Sequence, residues 1–465
     1  MIRIIWRFRQ DEVPFEQLLG PQPFAIQRLG LPPGLAARVR PVFEGSREEV
    51  REASEDIPGF LADPVNDLVR YYQIYTASEG LVDFILQALE SGRQMGVVAV
   101  YDIQREITVH HLTSGASIAP AAPCTPDTNL NAPSRPWDQC QRYLDPGIGV
   151  DARFAWTLRG GTGQDIRIVD VERGWNHLHE DLESRICATF GTFTDICHGT
   201  AVLGILAGDG SNPQGVKGIA HGACLGLSPF EREPGQPPNP EEAIRRTLQW
   251  LRKGDVLLIE VHAKRYNIQH SAGCRPYLPI EAWSQGQAAI NLATSLGIHV
   301  VEVAGNGGLD VGNHGVPESG LALMVGAGTP GTGKALPCSN FGTRIDFQGW
   351  GSDVVTTGAS ECAGFDDLQR RQESGRCYTR SFSGTSSAAA IVAGCVAVIS
   401  GVLKAHSFDP LPLDEMRKLL IETGAYPDHA SNGGIGALPN LRAALERLEE
   451  KLINDHPAFQ GFDPA

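Results

Sequence analysis

Residues 382 to 394 read FSGTSSAAAIVAG and contain the strongest functional signal in the chain. They place the hydroxyl of Ser386 between a glycine turn at Gly384 and an uncharged, alanine-rich run typical of a buried helix. The free N–H groups and positive dipole end of such a helix favour negative charge beside Ser386. Because a serine hydroxyl alone is a poor nucleophile, the sequence predicts a base and an orienting acid elsewhere.

A second glycine- and alanine-rich segment supplies the candidate base. Residues 197 to 208 read CHGTAVLGILAG, in which His198 precedes small residues at close-packing positions. A candidate acid, Asp170, ends the short strand predicted at residues 166 to 170, IRIVD. In the predicted arrangement Asp170 orients the imidazole of His198 and stabilises the imidazolium that forms.

A fourth segment, residues 300 to 308, reads VVEVAGNGG, a buried strand that ends in an amide side chain. Asn306 is placed there to donate a hydrogen bond to an oxyanion. Each motif alone has an ordinary structural explanation, since Asn-Gly is commonly a turn and Gly-Thr-Ser a capped helix. Their joint occurrence points to catalysis.

In the order Asp, His, Asn, Ser, the four segments resemble the subtilisin-like serine peptidases, the subtilases. HGTAVLGILAG and GTSSAAAIVAG are similar to the family's motifs almost position for position. The resemblance implies an endopeptidase with a triad of Ser386, His198 and Asp170. It also implies that Asn306 and the backbone N–H of Ser386 hold the oxyanion, and that no cofactor is required for the chemistry. The alternative is a pseudo-peptidase that binds peptides without cutting them.

The acidic segment departs from the family pattern. Subtilases usually have Asp-Ser/Thr-Gly, whereas residues 170 to 174 read DVERG, with extra residues before the glycine. The family's His-Pro-Asp-Leu is echoed by HEDL at residues 179 to 182, and on this basis Asp170 is retained as the predicted acid.

The substrate-binding strand also departs from the family pattern. Where subtilases usually have Ser-Leu-Gly-Gly, the sequence reads Glu260, Val261 and His262, followed by alanine; Ala304 and Gly305 are predicted to form the facing wall of the cleft. A carboxylate near the primary pocket predicts a preference for Arg or Lys before the cleaved bond.

Glu302 lies two residues before Ala304 and is predicted to add negative charge to the cleft. The alternative is that Glu260 and Glu302 are compensated internally, by partners such as Lys264 or Arg265, as buried carboxylates usually are.

Alternating apolar strands and helices over residues 140–450 predict an α/β catalytic domain, with a mainly parallel sheet covered by helices on both faces. Residues 1–110 predict a small α+β domain, either a prodomain like those of subtilases or a permanent accessory domain. Residues 111–139 are interpreted as a linker, and residues 451–465 as a C-terminal tail.

The formal net charge of −15 disfavours a nucleic-acid or anionic-membrane partner. The resemblance to the subtilases implies peptide or protein substrates. The N-terminus lacks the apolar run of a signal peptide, so the expected location is cytoplasmic by default. The uncharged run from Ser381 to Leu403 is long enough to span a bilayer but carries the nucleophile, and a buried loop and helix are predicted. The oligomeric state is not predicted.

The ten cysteines show no zinc-binding spacing. Cys395 is predicted to be a free core thiol, and Cys362 and Cys377 to clamp the insert between them if the compartment is oxidising.

The histidines and carboxylates at residues 177–181 are predicted to be structural rather than metal ligands. The resemblance allows structural calcium, but no site is located. The near P-loop at residues 328–335 lacks the magnesium-binding hydroxyl after its lysine, so no nucleotide is predicted.

Overall fold

The computed structural model describes residues 2–8, 29, 31, 35, 39–42, 71–76, 79–94, 98–108, 137–212, 215–265, 268, 274–360, 362, 374–426 and 428–465. The β-strands are β1 (Ile2–Phe8), β2 (Arg40–Pro41), β3 (Tyr71–Thr76), β4 (Val98–Thr108), β5 (Arg167–Glu172), β6 (Ile186–Thr189), β7 (Cys224–Pro229), β8 (Val256–Ile259), β9 (His262–Arg265), β10 (Tyr277–Pro279), β11 (His299–Val303), β12 (Leu323–Gly328), β13 (Phe347–Trp350), β14 (Val354–Gly358) and β15 (Cys377–Phe382). The α-helices are α1 (Glu79–Gln94), α2 (Ala152–Ala155), α3 (His198–Ala207), α4 (Pro240–Thr247), α5 (Ser284–Ser295), α6 (Thr385–Ala405), α7 (Leu413–Thr423), α8 (His429–Asn432) and α9 (Leu441–Asp455). Most of the predicted linker lies outside the described residues.

The central sheet has seven strands in the order β13-β12-β11-β8-β5-β7-β6, and every neighbouring pair is parallel. Helices α3 and α6 bury apolar residues in the core on one face of this sheet, and α4 and α5 do so on the other. This arrangement confirms the predicted α/β fold. The carboxyl ends of parallel strands meet at one edge, which is where sites gather in such sheets.

Helix α6 runs through the centre of the molecule. Its small residues allow close packing: at Gly394, for example, an added Cβ would lie 2.8 Å from the Cβ of Ile219. Among the helices that the structure describes, α6 is the one long and apolar enough to cross a membrane, and that apolar stretch is wholly buried inside the fold. The prediction of a buried central helix is confirmed.

The N-terminal unit is an antiparallel sheet of β2, β3, β1 and β4, with α1 packed against it. The sheet does not end at β4, because β4 pairs antiparallel with β9 and β9 pairs with β10. At the interface the buried guanidinium of Arg3 lies 2.8 Å from a carboxylate oxygen of Glu241, at the start of α4. The two parts of the chain therefore share one six-stranded sheet.

The C-terminal residues pack on the catalytic region. The boundary predicted between residues 450 and 451 falls inside α9. Beyond this helix, Asp463 accepts a backbone hydrogen bond from Arg159, and the N–H of Ala465 donates to Thr157.

The disulfides in the described part of the chain differ from the predicted clamp. Cys362 pairs with Cys197, not with Cys377, whose thiol in β15 is outside any disulfide. The Cα atoms of Cys197 and Cys362 are 5.6 Å apart, within the range that a disulfide spans. Two further disulfides join Cys187 to Cys224 and Cys274 to Cys338. Cys395 is a buried free thiol, as predicted.

Candidate active site

Ser386 lies in the first turn of α6 and is 1% exposed. Gly384 precedes the helix with φ 101° and ψ −173°, a backbone conformation that residues other than glycine rarely adopt. Its N–H donates to the carbonyl of Gly351, and the hydroxyl of Ser387 donates to the carbonyl of Trp350. These bonds fix the turn and place Ser386 at the positive end of the helix dipole.

His198 is the first residue of α3, which packs against α6. Its ring lies edge-on to Phe382, with 5.3 Å between centroids. Nδ1 lies 2.5 Å from Oε2 of Glu172, while Nε2 has no hydrogen-bond partner among the described residues. Burial lowers the pKa of His198 to about 4, so the imidazole is neutral at neutral pH, the form that a general base requires.

The carboxylate against His198 is that of Glu172, whereas the predicted orienting acid was Asp170. Strand β5 continues two residues beyond Asp170, and both carboxyls lie on the same face because side chains alternate along a strand. Asp170 lies two residues before the carboxyl end of the strand, and its Oδ2 accepts a hydrogen bond of 2.8 Å from Nε1 of Trp175. Glu172, at the carboxyl end of the strand, is the one that reaches His198.

Gly199 makes this contact sterically possible. A Cβ at this position would lie 2.6 Å from Cγ of Glu172 and 2.5 Å from the carbonyl oxygen of Gly174. The first turn of α3 therefore approaches β5 closely only because residue 199 is glycine. The sequence carries a signal for Glu172 as well: the order Glu172, Arg173, Gly174 has the same spacing of acid and glycine as the family's Asp-Ser/Thr-Gly.

Asp170 and Glu172 compete for one negative charge. Burial raises the pKa of both carboxyls well above the usual range, and the charge of Glu172 raises the pKa of Asp170 further. Glu172 is better suited to hold the charge, because it accepts from the backbone N–H of Arg173 at 2.7 Å and lies against His198. Oδ1 of Asp170 has no partner in the described part of the chain, so we assign Asp170 as the neutral acid.

Asn306 follows β11 and is buried beside the nucleophile. Its Oδ1 accepts from the backbone N–H of Thr385 at 3.1 Å and from the hydroxyl of Thr385 at 3.2 Å. The side chain of Asn340 holds the same loop by donating to the carbonyl of Ala304 and accepting from the N–H of Gly307. These bonds fix Oδ1 of Asn306 and hold its amide group beside the first turn of α6.

Of the predicted cleft residues, Val261 and Ala304 bury their side chains in the core on the α4 and α5 face. Gly305 has φ 95°, and its carbonyl accepts from the N–H of Asn340. The ring of His262 stacks on Tyr277 at 4.2 Å.

Glu302 lies in an internal network, which agrees with the alternative of internal compensation and not with a charge in the cleft. Its Oε1 accepts from the backbone N–H of Glu281 at 3.1 Å, within a buried network in which Glu281 pairs with Arg344. The suggested internal partners also differ, because Arg265 donates to the backbone carbonyls of His314 and Ala282. The networks involve residues far apart in the sequence, which local patterns do not predict.

Glu260, another predicted cleft residue, follows β8 and is fully buried. Its backbone N–H donates to the carbonyl of Val171, which places Glu260 beside the carboxyl end of β5, and the hydroxyl of Ser386 lowers the pKa of its carboxyl.

The segment at residues 177–181 has the structural role that was predicted for it. His179 Nε2 lies 2.9 Å from the carbonyl of Cys377, and Asp181 accepts from the N–H of Val216 and the hydroxyl of Tyr378. Within the described ranges, no three His, Cys, Asp or Glu side chains are grouped to hold a metal ion.

At the carboxyl edge of the parallel sheet His198 lies against Glu172, and Asn306 bonds Thr385, the neighbour of Ser386. These contacts define a candidate hydrolase of the serine type. The subtilase family model matches residues 192–439, a little over half of the chain, and the chain belongs to this family. The matched range includes His198, Asn306 and Ser386 but begins after β5.

Two curated relatives are proteases by name. The chain is 29% identical to the "Extracellular protease" of Xanthomonas campestris pv. campestris over 63% of its own length and 46% of that protein. It is 25% identical to the "Thermophilic serine proteinase" of Bacillus sp. (strain AK1) over 44% of its length and 48% of that protein. The chain thus spans about half the length of these two relatives.

Among solved structures, the fold is similar to that of fervidolysin from Fervidobacterium pennivorans, described as a keratinolytic enzyme related to subtilisin. The TM-score is 0.57 at 15% identity, with 96% of this chain and 60% of that chain covered. At this identity the similarity concerns the fold and not the substrate.

Proposed function

We propose that this chain is a serine endopeptidase with a triad of Ser386, His198 and Glu172. The observation that carries the proposal is the imidazole of His198, which has Nδ1 against the buried carboxylate of Glu172 and Nε2 without a partner among the described residues. An imidazole held in this way has one nitrogen fixed as donor and the other available as base.

In the proposed reaction, Ser386 Oγ attacks the scissile carbonyl and its proton passes to His198 Nε2. Glu172 stabilises the imidazolium, and the oxyanion accepts hydrogen bonds from the Ser386 N–H and from Nδ2 of Asn306. The imidazolium then protonates the leaving amine, and water hydrolyses the acyl-enzyme by the same proton transfers in reverse. The chain's own side chains supply each group, and no cofactor takes part in these steps.

The proposed substrates are peptides or proteins, and the proposed location is an oxidising compartment. Three disulfides in the described part of the chain favour such a compartment over the cytoplasm expected from the N-terminal sequence, because cytoplasmic thiols are kept reduced.

The test is to incubate the purified chain with a diverse peptide library, identify the products by mass spectrometry, and label the protein with a fluorophosphonate. A serine endopeptidase yields internal cleavage products and a label on Ser386. A protein that binds library peptides but leaves them uncut and takes no label is the alternative, a non-catalytic peptide-binding module.

Asn306→Ala is expected to lower kcat by about 10²- to 10³-fold with little change in KM, because the amide is used only once the oxyanion has formed. Steady-state kinetics on one cleaved peptide measures this effect. Asn454→Ala, at the exposed end of α9, is the control. An unchanged kcat in Asn306→Ala would place the oxyanion donor elsewhere.

We further propose that residues 1–110 form a prodomain whose last strand lies at the edge of the substrate cleft. The support is the pairing of β4 with β9, in which Thr108 lies opposite His262, two residues after Glu260. The described part of β4 thus ends beside His262, on the side of β9 nearest Glu260.

If this proposal holds, the wild-type protein is expected to shorten at a site between residues 113 and 136, whereas Ser386→Ala stays at full length. Intact-mass spectrometry over the course of purification and storage measures both. Wild-type protein that keeps its full mass while hydrolysing peptides at full rate would instead identify a permanent accessory domain.

A further inference from the structure

Glu260 is a buried carboxyl that no step of the proposed mechanism uses. Neither Oε1 nor Oε2 has a hydrogen-bond partner among the described residues, and the side chain is 0% exposed. Its own backbone N–H continues the sheet by donating to the carbonyl of Val171. An unpaired buried carboxyl is costly unless it is uncharged or has a function.

The groups around Glu260 are acidic or neutral. Strand β5, on one side, contributes Asp170 and Glu172, and beyond Glu172 lies the neutral imidazole of His198. Strand β11, on the other side, carries Glu302, whose carboxylate belongs to the network of Glu281 and Arg344. Helix α6 contributes hydroxyls but no charged side chain at this end. No lysine or arginine in the described part of the chain compensates a charge on Glu260.

Burial raises the pKa of Glu260 well above its usual range, and the charges of Asp170 and Glu172 act in the same direction. The hydroxyl of Ser386 opposes the rise, since it supports the charged form. Three carboxyls that lie in a dry site beside a neutral imidazole cannot all be ionised. Glu260 is therefore expected to be protonated at neutral pH.

We propose that Glu260 is a positioning residue that acts through Ser386 and sets an upper pH limit on hydrolysis; the activity part of this proposal rests on the proposed endopeptidase function. In its neutral form the carboxyl donates its O–H toward a lone pair of Ser386 Oγ. The serine hydroxyl proton then remains directed at His198 Nε2, where the mechanism needs it.

Once Glu260 has lost its proton to solvent, its carboxylate can only accept hydrogen bonds. It then competes with His198 for the hydroxyl proton of Ser386, and its charge opposes the oxyanion that forms next to it. Hydrolysis therefore falls as the pH rises through the pKa of Glu260. A neutral Glu260 also offers no charge to a basic side chain, so the preference for Arg or Lys expected from the sequence is absent.

The experiment compares wild type, Glu260→Gln and Glu260→Asp, with kcat and KM measured on one peptide across the pH range. Glutamine has a similar shape and cannot ionise, so the fall in kcat from its maximum to the alkaline end is expected to be at least tenfold smaller in Glu260→Gln than in wild type. Aspartate keeps an ionisable carboxyl and is expected to restore the alkaline fall. Glu415→Gln, on the surface of α7, is the control.

Two kinetic results would overturn the proposal. The first is the same alkaline limb in wild type and Glu260→Gln. The second is an effect of Glu260→Gln on KM alone, confined to peptides with Arg or Lys before the cleaved bond, which would make Glu260 a charged specificity residue.

A second measurement does not depend on activity. Infrared difference spectra of the Ser386→Ala protein with and without Glu260→Gln, at neutral pH, are expected to show the C=O stretch of one protonated carboxylic acid that the glutamine variant lacks. Absence of this band overturns the assignment of a neutral Glu260 even if no peptide is ever cut. Presence of the band without hydrolysis would instead count against the endopeptidase proposal.

Discussion

Replacing Ser386 with alanine is expected to lower kcat for peptide hydrolysis by about 10⁶-fold, the loss known for removal of the nucleophile in subtilisin. The reason is that no other hydroxyl occupies this place in the first turn of α6: the hydroxyl of Ser387 is bonded to the carbonyl of Trp350. The fold is expected to be retained, because alanine favours the helix and the turn at Gly384 is unchanged. Hydrolysis is measured by product formation, and folding by circular dichroism.

Ser400→Ala is the matched control for this variant. Ser400 is a buried serine of the same helix, and its hydroxyl has no hydrogen-bond partner in the described part of the chain. Its removal is expected to leave kcat unchanged. Comparable hydrolysis by Ser386→Ala and Ser400→Ala would contradict the assignment of the nucleophile.

Glu172→Gln has the second-largest expected effect, a fall in kcat of about 10⁴-fold with a smaller change in KM. The amide removes the charge that stabilises the imidazolium, and it can present an N–H to His198 Nδ1, which favours the wrong tautomer. Because burial raises the pKa of Glu172, protonation of this carboxyl is also expected to lower wild-type activity on the acidic side of the pH profile. That limb belongs to the coupled pair of Glu172 and His198.

Asp170→Asn distinguishes between the two buried carboxyls. Asparagine resembles the neutral acid in shape and keeps an oxygen that can accept from Nε1 of Trp175. Activity within a few-fold of wild type is expected. If Asp170→Asn lost 10⁴-fold while Glu172→Gln stayed active, Asp170 would be the acid of the triad after all.

The parts of the fold that local sequence determines were the ones predicted. Ser386 and His198 lie at the starts of helices that the glycine and alanine patterns predict, and both helices form there. The end of β5 is different, because Val171 and Glu172 extend the strand by pairing with strands β7 and β8, both more than fifty residues away. Aspartate was the residue type expected for the acid that orients His198. The extension of the strand by two residues could not be deduced from IRIVD alone.

Partners that come from distant parts of the chain were also missed. Cys362 lies 165 residues from Cys197, so spacing favoured the nearer Cys377. Internal compensation of Glu302 was one of the two predicted alternatives, but the suggested partners were Lys264 and Arg265. The contact of Glu302 with Glu281 arises from the packing of a separate segment against β11. In each case the residue types were visible, but the tertiary arrangement that pairs them was not.

Because the N-terminal unit and the catalytic region share one sheet, cleavage of the chain between them would not by itself separate the two parts. A break beyond Thr108 leaves the β4–β9 ladder and the buried pair of Arg3 and Glu241 untouched. The cleaved protein would remain one complex of two chains. The N-terminal fragment would still cover the edge of the proposed cleft. How quickly the cleaved protein begins to act on other proteins would then depend on how fast that fragment dissociates or is digested, and not on the first cut.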